Sequence, residues 1–137
     1  MFIGSGALWG ETILFSMCIL EEMQWKRTRY ITSADFFHGT LELVEPGVPV
    51  FLFMGEDENR KLDERVRAFL TRGVTGDTDI NIIDTAEFAI PGLDDEFRVI
   101  VSPWILSSLI TDRLAAYYET VTKHNLKYRR YYHQFDY

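Results

Sequence analysis

The sequence holds one cysteine, four prolines and three histidines in 137 residues. A lone thiol, Cys18, excludes an intramolecular disulfide framework and any zinc site built from cysteine pairs. It lies inside an apolar segment, and a reducing cytoplasm is the compartment that such cysteine usage predicts. His38, His124 and His133 stand at no recognisable metal-ligand spacing, so no metal is expected. Positive charge is scarce too: 14 Lys and Arg against 21 Asp and Glu leave a net charge of −7. A nucleic-acid coat needs the opposite sign, so no nucleic-acid partner is expected. Unbroken apolar runs are short, the longest lying around Ile13–Leu20 and Val48–Met54. Both fall below the ~18 residues that span a bilayer, and no membrane partner is expected. The opening residues Met1-Phe2-Ile3-Gly4 lack the basic n-region of a secretory signal and run straight into a glycine turn. Sequence upstream of Met1 is expected to be missing.

What is present is a globular composition, 47% hydrophobic and 26% charged, in a length suited to one domain. Charge is uneven: the tail 123–137 carries Lys123, Lys127, Arg129, Arg130 and Asp136, or +3, leaving −10 for the rest. Phe2-Ile3 before Gly4-Ser5-Gly6 predicts a short strand ending in a permissive turn. Glu11 to Lys26 has the residue types of a helix that is apolar nearly all round, predicting a sheet below it and a further element or a partner subunit above. Strands are predicted at Arg29–Thr32, Val48–Met54 and Ile80–Ile83, and helices over 59–72 and 104–124, the last opened by Pro103 in its first turn. Strands alternating with helices predict an α/β layer with a parallel sheet.

Three places could carry chemistry. Glu21 and Glu22 sit near the end of the first helix. Glu22 shares a face with Phe15, Cys18, Ile19 and Trp25, a setting in which desolvation raises a carboxyl and suits it to moving protons. Equally, Glu22 at four residues from Lys26 makes an ordinary surface ion pair. His38 follows two phenylalanines and precedes a glycine, which places it either at a cleft edge or in a packed core. The tail mixes Arg129 and Arg130 with Tyr128, Tyr131 and Tyr132, a composition shared by anion-binding lids, single-strand binders and plain aromatic anchors. Gly4-x-Gly6-x-x-x-Gly10 is a glycine turn that misses the dinucleotide spacing by one residue.

Taken in order, Gly4-Ser5-Gly6 with Trp9-Gly10, then Ser16-Met17-Cys18-Ile19-Leu20-Glu21-Glu22-Met23-Gln24-Trp25, then Phe36-Phe37-His38-Gly39-Thr40-Leu41-Glu42-Leu43 resembles the sugar isomerase (SIS) lobe. With Arg129-Arg130-Tyr131 and the closing acidic-aromatic pair, the sequence looks most like the C-terminal lobe of the fructosamine 6-phosphate deglycases. The resemblance implies a three-layer α/β/α lobe with a mainly parallel sheet, residues 1–137 forming one SIS domain that is the second of two in a longer enzyme. The phosphate-holding Ser-x-Ser-Gly-x-Thr turn of the other lobe has no equivalent here, so the chain alone is expected to be weakly active or inactive.

The family's catalytic pair stands sixteen positions apart, which selects Glu22 and His38. By resemblance, His38 assists sugar-ring opening and Glu22 shifts a proton between C1 and C2 of a phosphorylated fructosamine, giving glucose 6-phosphate and a free amine. Gly4, Ser5, Gly6, Arg129, Arg130 and Tyr131 would contact the substrate, no cofactor is implied, and a homodimer is. A non-catalytic phosphosugar-binding lobe and an aldose–ketose phosphosugar isomerase lobe are the alternatives.

Overall fold

In the computed structural model, which describes every residue but Ala89, four short strands form one parallel sheet. They are β1 (Phe2–Gly4), β2 (Tyr30–Ile31), β3 (Val50–Met54) and β4 (Ile80–Asp84), in the order β2-β1-β3-β4. Central β3 reads as a continuous apolar run because both of its faces are covered. Phe53 points with Phe2 to one side, against Phe15, Ile19, Leu106 and Ile110. Val50, Leu52 and Met54 point with Ile3 to the other, against Phe36, Val66 and Leu70. The period-two alternation thus feeds two cores, one on each side of the sheet, and the lobe has three layers.

One core is closed by α1 (Trp9–Ile13), which continues as a π-helix over Leu14–Met23, and by the last long helix. The other is closed by α2 (Ser33–Phe36) and α3 (Arg60–Leu70). The first helix starts two residues earlier and stops three earlier than its apolar stretch predicts. Its end is set at Trp25, whose φ of 54° breaks the helical path. Part of what lies above this helix is the chain's own C-terminal helix, packed on the π-helical segment.

That last helix departs most from expectation. It begins at α4 (Arg98–Ser107), passes through a π-helical stretch (Ser108–Leu114) and ends as α5 (Ala115–Thr122). Pro103 lies inside it, not in its first turn. Lacking an N–H, Pro103 leaves the Val99 carbonyl without its usual donor, and the Ser102 hydroxyl fills the gap at 3.1 Å. The helix start is anchored by Arg98, which holds Glu56 at 2.5 Å and also donates to the Thr85 and Phe88 carbonyls. From Asp95 to Thr122 this is, among the described residues, one helix long and apolar enough to cross a membrane. Serines, threonines and Pro103 interrupt its apolar residues, so it shows no unbroken run in the sequence. Leu106, Ile110 and Ala115 bury one side of it against the sheet.

The strand order reverses between β1 and β3. Chains leaving those two strands diverge to opposite sides of the sheet, opening a crevice beyond their C-terminal ends.

Candidate functional site

Glu22 is held near the end of the π-helical segment, where the register no longer follows the three- and four-residue offsets of an α-helix. Its carboxylate is not left among apolar neighbours, as α-helical spacing predicts, nor does it pair with Lys26. Arg129 folds back from the C-terminal tail and places its Nε 2.9 Å from Glu22 Oε1, both side chains being partly shielded. Arg129 is itself fixed, donating to the Leu126 carbonyl at 2.7 Å. Beside it, the Arg130 guanidinium lies 4.0 Å from the centroid of the Trp25 ring, a cation–π contact. Trp25 also meets His124 edge-on at 4.3 Å. The tail is therefore docked on the helix end through an ion pair, a cation–π contact and an edge-on ring contact.

Glu22, Trp25, Arg129 and Arg130 line an open cavity of about 630 Å³, which Tyr131 also borders. Four cationic side chains, Lys26, Arg27, Arg129 and Arg130, face two acidic ones, Glu21 and Glu22. An anion is favoured there. Glu21 is committed elsewhere, accepting the Thr28 hydroxyl at 2.6 Å, so Glu22 is the carboxylate engaged by the tail. Cys18, one turn below, has its thiol pushed up by burial and then by the nearby Glu22 charge. Trp25, Arg27 and Thr28 line the cavity yet were not singled out from sequence; a tryptophan at a helix end flanked by Lys26 and Arg27 is the signal that could have found them.

Gly4, Ser5 and Gly6 lie apart from this cavity, at the mouth of β1. A Cβ on Gly4 would overlap the Thr12 hydroxyl, and one on Gly6, where φ is 53°, would overlap the Asp57 carboxylate. Asp57 accepts the Ala7 N–H at 2.5 Å and the Asn59 N–H at 2.7 Å, so an internal carboxylate already occupies the donor of this turn. Gly6 borders a second cavity of about 510 Å³ whose acidic lining is Glu56, Asp57 and Glu58. Gly10 has open space at its Cβ position.

Ser5 is buried, and its Oγ accepts the Ser33 N–H at 2.8 Å. Ser33 in turn donates its hydroxyl to Asp63. Next to it, Arg60 clamps Asp84 with two bonds of 2.9 and 2.6 Å and also reaches the Gly55 carbonyl at 2.8 Å. The Arg60 contact holds the Asp84 carboxyl below the usual carboxylate range. His38 is exposed, between α2 and Gly39, and is not among the residues lining either cavity. Among the described residues, no group of three or more His, Cys, Asp and Glu side chains is placed to hold a metal ion.

No family model matches the chain. It is 31% identical to fructosamine deglycase FrlB of Bacillus subtilis over 94% of its own length and 38% of that protein. It is 35% identical to the fructoselysine 6-phosphate deglycase of Escherichia coli K12 over 82% of its length and 31% of that protein. Two solved structures, provisionally assigned as phosphosugar isomerases, superpose on 99% of the chain. The one from Bacillus subtilis gives a TM-score of 0.87 at 29% identity, the one from Salmonella typhimurium 0.85 at 31%. The chain spans about two fifths or less of the length of each of these proteins. Its parallel three-layer fold and these likenesses together make the chain an α/β lobe of the phosphosugar isomerase (SIS) type, related to the fructosamine deglycases.

Proposed function

We propose that the chain is the C-terminal catalytic lobe of an enzyme that deglycates a phosphorylated fructosamine. The observation that carries this is the cavity at the first helix end, where Glu22, beside Glu21, is set among four cations and an aromatic wall. The cations suit a phosphorylated sugar, and the carboxylate suits a proton transfer that needs only a base held in place.

In this proposal His38, which lies outside the Glu22 cavity of its own chain, aids opening of the sugar ring in the site of the neighbouring subunit of a homodimer. Glu22 then takes a proton from C1, next to the C2 carbonyl, giving an enaminol, and returns a proton to C2. The double bond thereby moves to C1 and nitrogen, and water splits that imine into glucose 6-phosphate and the free amine. Arg129 orients the Glu22 carboxylate, while Arg130 and Tyr131 meet the anionic substrate from the tail; Gly4, Ser5 and Gly6, which lie apart from this cavity, are given no contact with the substrate.

The test is to supply a phosphorylated fructose-amino acid to the complete two-lobe enzyme, in which the turnover variants below are also made, and quantify both products. Glucose 6-phosphate and free amino acid are expected to accumulate in equal amounts. An aldose–ketose isomerase lobe is the second reading, favoured by the likeness to provisionally assigned phosphosugar isomerases. It would interconvert fructose 6-phosphate and its aldose with no amine released, and that outcome would overturn the deglycase proposal.

A further inference from the structure

Asp63 on α3 is a carboxyl with 1% exposure that takes no part in the proton transfer described above. It accepts the Ser33 hydroxyl at 2.5 Å and the Gly55 N–H at 3.2 Å, while the Ser33 N–H donates to Ser5. Segments leaving β1, β2 and β3 are thus tied together at one dry point. Ser33 is the first residue of α2, and α2 is only four residues long. A helix of that length does not hold its own direction in water, so its setting comes from its anchors. Phe36 anchors it in the core, and Ser33 anchors its start. The chain then passes directly to His38, whose N–H bonds the Asp35 carbonyl at 2.9 Å.

We propose that Asp63 is a positioning residue for His38: through Ser33 it fixes the segment 33–38 against the β1 turn and the end of β3. This rests on the role given to His38 above and extends it to a side chain that touches no substrate. Burial pushes the Asp63 carboxyl up to about 6, against the bonds from Ser33 and Gly55. Asp57, on the loop after β3, acts with burial, and Arg60 on α3 acts against it. On α2, Asp35 is exposed and bonded to Thr32, and β1 and β2 bring no carboxyl or cation.

Amide hydrogen exchange mapped along the protein tests the hold directly. Ser33→Ala removes the bond to Asp63 and should speed exchange over 33–38 by about tenfold, with Val50–Met54 unchanged. Asp63→Ala should do the same or more, whereas Asp63→Asn, whose amide can bond both Ser33 and Gly55, should keep protection near the wild-type level. If Asp63→Ala fails to fold, Ser33→Ala decides alone. Unchanged exchange over 33–38 in Ser33→Ala would overturn the inference.

Turnover separates this from the function it rests on. Ser33→Ala should lower kcat about tenfold while KM stays within about twofold. If His38→Ala lowers kcat and Ser33→Ala does not, the positioning role is wrong. Should His38→Ala leave turnover intact, His38 loses its assigned role, and the exchange result still judges what Asp63 holds in place.

Discussion

At Glu22 a carboxylate meets a guanidinium that arrives from the far end of the chain, on the wall of an open cavity, with edge-on rings and a cation–π contact from an irregular tail around it. At Asp63 a carboxyl meets a serine and a backbone N–H in a sealed seam between strand ends, with no cation bonded to it. The first arrangement, though partly shielded, still borders open solvent and contributes little to folding, since ion pairs in contact with water stabilise by about 0–1 kcal/mol. The second fixes backbone geometry, and disturbing it costs far more because the groups left behind are dry. In the proposed function, binding chemistry and structural alignment fall to different carboxyls on different elements.

The largest expected effect breaks the core that supports both. Phe53, fully buried between the sheet and the first helix, should cost about 3–5 kcal/mol on replacement by alanine, read as a lower urea midpoint. Next comes Asp63. Because its folded value is raised to about 6, its contribution is complete below pH 4 and is lost as pH rises through about 6. Wild-type stability measured against Asp63→Asn should fall by about 2 kcal/mol between pH 4 and pH 7.5, and a flat difference would show that the carboxyl is not held in a dry site.

Asp84 should show the opposite sign. Its carboxyl is depressed by Arg60, so its contribution is present above the ordinary Asp value of about 4 and is lost on acidification below it. Asp84→Asn should cost about 1–2 kcal/mol at pH 7, modest because Arg60 is partly exposed, and the cost should shrink at pH 3. Smallest is Arg129→Ala, which should change stability by under about 1 kcal/mol while weakening inorganic phosphate binding in calorimetry. A large stability loss there would erase the contrast between the two regions.

The sheet was legible because Val50–Met54 has to be apolar on both faces, and such a run bounded by turn residues has few other uses. Helix ends were less so. Pro103 signals a first turn by its missing N–H, yet here Ser102 satisfies the orphaned carbonyl and the helix runs on from Arg98. Glu22 was singled out by helical spacing and chosen over Glu21 only through resemblance. The resemblance named Arg129 as a substrate contact, but neither signal could foresee its pairing with Glu22, which depends on how the tail folds back. Asp63 was missed within the charged stretch Arg60–Arg65, although it shares a face with buried Val66 and Leu70 at offsets of three and seven. That spacing was the available signal for a buried acid.

The proposed chemistry turns on whether the Glu22 carboxylate moves the sugar proton. The measurement that addresses it most directly is steady-state release of glucose 6-phosphate from a phosphorylated fructose-amino acid by Glu22→Gln, alongside a thermal melt that verifies folding. Loss of a positioned base predicts a kcat lower by about 10²–10⁴-fold with the melt nearly unchanged. A folded Glu22→Gln protein that turns over at the wild-type rate would contradict it.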